Sequence, residues 1–97
     1  MATPLSTDEI KNALNGLSGW QHENDMLTKT YEFDHYLAGV AFASATGTIC
    51  QGMGHHPDMA IGYKKVTVSF TTHDAGSKVT QMDIDAAKAL ESIGYPK

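Results

Sequence analysis

The chain of 97 residues has a formal net charge of −4 at pH 7, and apolar residues make up 41% of it. That length and apolar content suit one domain with one core, which we expect to span residues 1–97. Its only basic pair is Lys64-Lys65. An acidic chain without a positively charged stripe is not expected to bind nucleic acid directly.

Two further features bear on where the protein works. The longest apolar patch, residues 37–45, is too short and too polar to span a bilayer, so no membrane association is expected. Cys50 is the single cysteine and cannot form an intrachain disulfide, which suits a reducing compartment. The first residues lack the basic and apolar regions of a secretory signal. We expect a cytoplasmic protein, small enough to enter a nucleus as well.

The first half of the chain predicts a helix, a hairpin and a second helix. Ser6 and Glu9 have the spacing of a capping box, followed by an apolar stripe at helical spacing. A hairpin of residues 20–23 and 26–33 should turn at Asn24-Asp25. A longer helix should begin near Asp34 or His35 and fade at the glycines 52 and 54.

The second half predicts another hairpin and a last helix. Residues 59–63 and 66–73 read as strands around Lys64-Lys65, and the alternating pattern of 66–73 is the clearest strand signal in the chain. Thr80 and Asp83 lie in cap positions of a final helix. The order α-β-β-α-β-β-α predicts an α+β fold, with a four-stranded antiparallel sheet and three helices on one face.

Three of the five histidines deserve a functional reading. His55 and His56 stand between the end of the long helix and a strand, where Pro57 keeps His56 out of helical conformation. His73 lies at the end of the strongest predicted strand, which pairs with the segment that His56 enters. The fold order therefore allows all three imidazoles to share a pocket. His22 and His35 are expected at the surface.

The residues alone leave several interpretations of these histidines open. They can be unrelated loop residues, or three ligands of a zinc ion with an open position. Adjacent histidines seldom bind one ion, so we expect no metal. General acid–base chemistry suits imidazole near neutral pH. The nearby carboxylates that could orient an imidazole are Asp58, Asp74 and Asp83, although Asp83 fits a helix start equally well.

These residues together resemble the pterin-4a-carbinolamine dehydratase family. The resemblance is carried by His55-His56-Pro57-Asp58, by Tyr63, by residues 71–74 (TTHD) and by Asp83, all at the family's intervals. It extends to residues 5–20, which are similar to the family's opening helix and following tryptophan, and to residues 31–42.

The resemblance implies a hydro-lyase that dehydrates 4a-hydroxytetrahydrobiopterin to quinonoid dihydropterin, in support of tetrahydrobiopterin recycling and without a cofactor. The implied catalytic residues are His55, His56 and His73, with His55 and His73 transferring protons and His56 mainly binding the pterin. Trp20 and Gln51 are further candidates for lining the pocket or orienting its residues. The implied substrate contacts are made by Gly54, His55, His56, Thr71, Thr72, His73 and Asp74.

The resemblance also implies partners, and it has one notable departure. Family members form homodimers or homotetramers, and animal members also act as the dimerisation cofactor of a homeodomain transcription factor. That role is the alternative function, in which the chain is a binding protein and not a catalyst.

The family usually has an acidic residue where this chain has Gln51, and an amide supplies no charge to a neighbouring imidazole.

Overall fold

The computed structural model describes residues 2–96, so Met1 and Lys97 of the expected domain lie outside the described residues. Within this range the elements follow the predicted α-β-β-α-β-β-α order. They are α1 (Thr7–Leu14), β1 (Gln21–Glu23), β2 (Met26–Glu32), α2 (Tyr36–Met53), β3 (Asp58–Ile61), β4 (Lys65–Phe70) and α3 (Gln81–Glu91), with a short 3-10 helix (His73–Ala75) before α3.

The four strands form one antiparallel sheet in the order β1-β2-β4-β3. In the central pair, Leu27 stands opposite Phe70 and Tyr31 opposite Val66. All four of these side chains are buried, because this face of the sheet packs against the helices. The predicted α+β architecture, with the helices gathered on one face, is confirmed.

The opposite face of the sheet is polar. Thr28 and Ser69 face each other across the central pair with 3.0 Å between their hydroxyl oxygens, and the next pair, Thr30 and Thr67, is 2.9 Å apart. Cross-strand hydroxyl pairs of this kind stabilise an antiparallel ladder without needing a second layer.

The predicted turns and caps are present. Ser6 and Glu9 form a capping box at the start of α1, and Thr80 and Asp83 form a second one at the start of α3. Asn24 and Asp25 both have positive φ, 51° and 60°, as a two-residue type I′ hairpin requires.

The predicted strand 66–73 is too long by three residues. The strand ends at Phe70, and the Thr72 backbone N–H instead donates a hydrogen bond to the Lys78 carbonyl at 3.0 Å. Gly76, with φ of 75°, closes the turn in left-handed conformation. His73 consequently begins a 3-10 helix. The sequence did not predict this helix, because the β-branched residues before it favour a continued strand.

One cluster ties the end of α3 to the first hairpin. A single oxygen of Glu91, Oε2, accepts hydrogen bonds from Trp20 Nε1 (3.1 Å), Lys29 Nζ (2.8 Å) and the Tyr31 hydroxyl (2.6 Å). Burial alone would raise the pKa of Glu91, but these donors lower it below its usual value. Burial and the bond to Glu91 raise the pKa of Tyr31.

Between residues 2 and 96, no helix combines the length and the apolar character needed to cross a membrane.

The lowered pKa of Glu91 predicts a specific dependence of stability on pH. A carboxylate whose pKa is depressed by folding stabilises the protein above its ordinary pKa of 4.5, and the contribution is lost as the pH falls through the folded value. Glu91→Gln should lower the free energy of unfolding by about 1–2 kcal/mol near neutral pH. Urea unfolding of both proteins should show this difference narrowing below pH 4.5.

Glu23→Gln, at an exposed glutamate of β1, is the matched control and should leave stability nearly unchanged. If the difference in unfolding free energy between Glu91→Gln and the native chain stayed the same below pH 4.5, the lowered pKa of Glu91 would be contradicted.

Candidate functional site

A pocket of about 700 Å³ opens where the end of α2, the end of β4 and the start of α3 meet. Small-molecule sites commonly have a volume of this order. The pocket brings together every residue that we expected to contact a substrate. Its walls are formed by Ala2, Gly54, His55, His56, Thr71, Thr72, His73, Asp74 and Met82.

The chain enters the pocket through the C-terminal cap of α2. Gly54 has φ of 68°, and the His55 N–H then bonds to the Cys50 carbonyl at 3.1 Å, which closes the helix. A side chain at Gly54 would meet open space, so the positive φ is what favours glycine there. The sharp turn places His55 directly against the core.

His55 is the most deeply buried of the three imidazoles. It is only 8% exposed, and its ring stacks on Phe70 with 5.9 Å between centroids and 13° between planes. Its Nε2 lies 2.5 Å from Oδ1 of Asp83. Packing on one side and a charged hydrogen bond on the other hold the ring in a single orientation.

Asp83 is fully buried, at 0% exposure, and its second oxygen is also satisfied. Oδ2 accepts hydrogen bonds from the Thr72 hydroxyl and from the Thr80 backbone N–H, each at 2.8 Å. A buried carboxylate requires this kind of compensation. Asp83 is therefore both the third residue of the α3 capping box and the partner of His55, so the two sequence interpretations are compatible.

His56 makes its hydrogen bond to Gln51 and not to Asp83. Its Nε2 lies 2.8 Å from Oε1 of Gln51, and both side chains are exposed. The amide oxygen accepts this hydrogen bond, so Nε2 of His56 donates it. The residue that departs from the family pattern thus faces His56 and not His55.

His73 and Asp74 lie exposed on the 3-10 helix and form part of the pocket wall. Nδ1 of His73 is 3.4 Å from the Ser77 hydroxyl, a long contact that constrains the ring weakly. This imidazole is consequently free to meet a ligand with either nitrogen.

The two threonines of the pocket have hydroxyls that are already engaged. The Thr71 hydroxyl donates to the Asp25 carbonyl at 2.9 Å, and the Thr72 hydroxyl donates to Asp83. Both side chains are buried. Neither hydroxyl hydrogen is therefore left to donate to a ligand.

Five candidates lie outside the pocket walls: Asp83 and Gln51, which bond to His55 and His56, and three others. Trp20 is buried in the core, stacked on Phe70 and bonded to Glu91, because its large ring fills the space between β2 and the end of α3. Asp58 is exposed at the start of β3 and pairs with Ser69. Pro57 is half-buried between His56 and β3.

Sequence reasoning missed two wall residues, Ala2 and Met82. Met82 could have been found, since it directly precedes Asp83 in the first turn of α3. Nothing in the sequence pattern pointed to Ala2.

No group of three or more histidine, cysteine or acidic side chains within residues 2–96 is arranged to hold a metal ion. Cys50 is fully buried, and burial raises the pKa of its thiol, so it is not poised as a nucleophile. What the site offers is three imidazoles at different depths, one fixed by a carboxylate and two exposed. That combination suits the gain and loss of protons on one small ligand.

Comparison with known proteins places these features in a family. Residues 3–93 match the family described as pterin 4 alpha carbinolamine dehydratase. A relative from Natronomonas pharaonis, assigned to that enzyme by name, is 43% identical over 93 residues, which cover 96% of this chain and 98% of the relative. A relative from Roseiflexus with the same name is 40% identical over 93 residues, covering 96% and 99%.

Solved structures agree. A transcriptional coactivator/pterin dehydratase from Brucella melitensis superimposes with a TM-score of 0.87 at 27% identity, covering 94% of this chain and 98% of that one. A pterin dehydratase-like RuBisCO assembly factor of the alpha-carboxysome, at 20% identity and a TM-score of 0.62 over 80% of this chain and 89% of that one, shares the fold. The match over nearly the whole chain, together with the histidine pocket, means that this chain belongs to the pterin 4 alpha carbinolamine dehydratase family.

Proposed function

We propose that this chain is a hydro-lyase that dehydrates 4a-hydroxytetrahydrobiopterin to quinonoid dihydropterin. The observation that carries the proposal is the convergence of His55, His56 and His73 on one pocket of about 700 Å³. A flat bicyclic pterin suits a pocket of this volume. Its biological role would be the recycling of tetrahydrobiopterin, in the cytoplasm and, for a chain of this size, in a nucleus as well.

The reaction needs one acid and one base and no change of oxidation state. The C4a–O bond breaks as an acid protonates the departing hydroxyl, which leaves as water. A base takes the N5 proton, and the N5–H electron pair becomes the C4a=N5 double bond. Two imidazoles in opposite protonation states can supply both functions without a cofactor.

We assign the proton transfers to His55 and His73 and substrate binding mainly to His56. The support is the difference in their surroundings. Asp83 holds His55 rigidly, as a proton-transfer group requires, and His73 lines the same pocket from the 3-10 helix. Main-chain groups of Gly54 and of residues 71–74 would meet the polar edge of the pterin.

Removal of either proton-transfer imidazole should abolish dehydration. We expect His55→Ala and His73→Ala each to lower kcat by about 10²- to 10⁴-fold, the usual contribution of a general acid or base. Stopped-flow measurement of carbinolamine dehydration tests this, with circular dichroism to verify folding. His22→Ala, in β1 outside the pocket walls, is the control and should retain activity. Turnover like that of the native chain in both pocket variants would refute the proposal.

Gln51 should influence binding more than chemistry, because it bonds to His56. In Gln51→Glu the carboxylate can still accept the His56 hydrogen bond and adds a charge at an exposed position, where such pairs contribute up to about 1 kcal/mol. We expect KM to change by less than about fivefold and kcat to stay nearly constant. Gln51→Leu, which removes the acceptor, should raise KM further. A large gain in kcat for Gln51→Glu would show instead that the missing carboxylate limits catalysis.

We further propose that the chain forms a homodimer or homotetramer. The outer side of α2 exposes Leu37 (68%) beside small residues, Ala41 and Ala45. Together with Ile93 and Tyr95 these residues line an apolar groove of about 380 Å³. Exposed apolar side chains grouped in this way favour association with another subunit.

Light scattering should therefore give a mass that is a multiple of the monomer. Leu37→Glu should shift the population toward the monomer, because a charge would be buried against the partner subunit. Asn12→Glu, on exposed α1, is the matched control. A monomeric native chain at high concentration would contradict the proposal.

A second candidate function uses this same α2 face. The Brucella melitensis structure carries a transcriptional coactivator name beside its dehydratase name. A dimerisation-cofactor role would need the apolar groove and would not need His55. Binding of a transcription factor's dimerisation segment that is lost in Leu37→Glu and retained in His55→Ala would favour it.

A further inference from the structure

The hydrogen bonds around Asp83 have a defined direction. The Thr72 hydroxyl has one hydrogen, and it donates this to Oδ2 of Asp83. In its 2.7 Å contact with the Thr80 hydroxyl, Thr72 must therefore accept. Thr80 in turn accepts from the Met82 N–H at 3.2 Å, and a backbone N–H can only donate. The chain of donors thus runs from Met82 through Thr80 and Thr72 to Asp83.

The direction of these hydrogen bonds determines whether Asp83 donates or accepts in its contact with His55. Oδ2 accepts two hydrogen bonds, one of them from the rigid backbone of Thr80, which is the pattern of a carboxylate that acts only as an acceptor. An ionised carboxylate has no hydrogen to give. Across the 2.5 Å contact with Oδ1, the donor is consequently Nε2 of His55.

The other ring nitrogen of His55 is then the one that can act on a ligand. Nδ1 has no hydrogen-bond partner among the described residues. A fully buried polar atom without a partner occurs only once in that range, at the hydroxyl of Thr46, so Nδ1 of His55 is not fully buried. Nδ1 is therefore reached from outside. Since His55 lines the pocket, that access is through the pocket.

We propose that the capping box of α3 fixes His55 in the Nε2–H form, so that Nδ1 is the nitrogen that exchanges protons with the substrate. Asp83 and Thr80 are positioning residues in this scheme, because they act through His55. The role of Nδ1 in catalysis rests on the proposed dehydratase function, whereas the location of the ring proton does not.

The substitution Asp83→Asn tests the scheme sharply, because the Thr80 N–H decides which way the new amide turns. The amide oxygen must take the Oδ2 position to accept from that N–H, which preserves the capping box. The NH2 group must then face His55 and donate to Nε2. The ring should switch to the Nδ1–H form while the helix start stays intact.

The location of the ring proton is read from histidine ring ¹⁵N shifts at mildly alkaline pH, without substrate. The native chain should show a pyrrole-type Nε2 and a pyridine-type Nδ1 for His55, and Asp83→Asn should show the reverse. The kcat of dehydration should fall by up to about 10⁴-fold, the effect of the same exchange in a serine-protease triad. A native ring protonated at Nδ1, or an unchanged Nε2–H ring in the variant, would overturn the proposal.

The matched control is Glu9→Gln, which makes the same carboxylate-to-amide exchange in the capping box of α1. It should change neither the His55 spectrum nor the rate. If Asp83→Asn does not fold, the native spectrum alone still decides which nitrogen carries the proton. A native chain with the Nε2–H ring but no dehydration would overturn the proposed function, and with it the catalytic role of Nδ1, while the proton assignment would hold.

Discussion

A single buried carboxylate joins the three segments that make the pocket. Asp83 starts α3, accepts from Thr72 just beyond β4, and bonds to His55 just beyond α2. These residues are 11 and 28 positions away from it in the sequence. The desolvation of such a charge would be prohibitive without its donors, so the three segments are interdependent. Folding that buries Asp83 with its donors also brings the three segments of the pocket together.

The depth of each histidine follows from the element that carries it. His55 comes one residue after a left-handed glycine, which turns the chain inward against Phe70, and so it is buried. His56 must then point outward, because adjacent side chains in an extended segment face opposite sides. His73 belongs to a short 3-10 helix with few constraints. The pocket thus combines one fixed imidazole with two that remain accessible.

Much of this arrangement was predictable from local signals. The two capping boxes, the Asn24-Asp25 turn and the alternation in β4 each have a short-range physical cause, and each is found in the structure. The placement of Trp20 was not predictable, since its partner Glu91 lies 71 residues away. The end of β4 was missed because the β-branched residues Thr71 and Thr72 continue past it. The Thr72 N–H donates to the Lys78 carbonyl, a contact that the sequence pattern does not indicate.

Sequence reasoning named Asp83 as one carboxylate that could orient an imidazole, but it could not choose Asp83 over Asp58 and Asp74 or assign it to His55. The position of Asp83 three residues after Thr80 predicts a capping residue, and that reading is correct as far as it goes. A carboxylate has two oxygens, however, and the cap uses only one of them. Which group takes the other depends on how α2 and α3 pack, which is a tertiary property.

The last helix is held by a carboxylate at each end. Asp83 anchors its first turn to the pocket, and Glu91 anchors its final residue to Trp20, Lys29 and Tyr31. A helix clamped in this way can neither slide along its axis nor rotate without breaking charged hydrogen bonds at both ends. One wall of the pocket is therefore stiff. The turn at residues 73–76 and the exposed His56 side chain are not held by a charged hydrogen bond of this kind, so any change in the shape of the pocket falls to them.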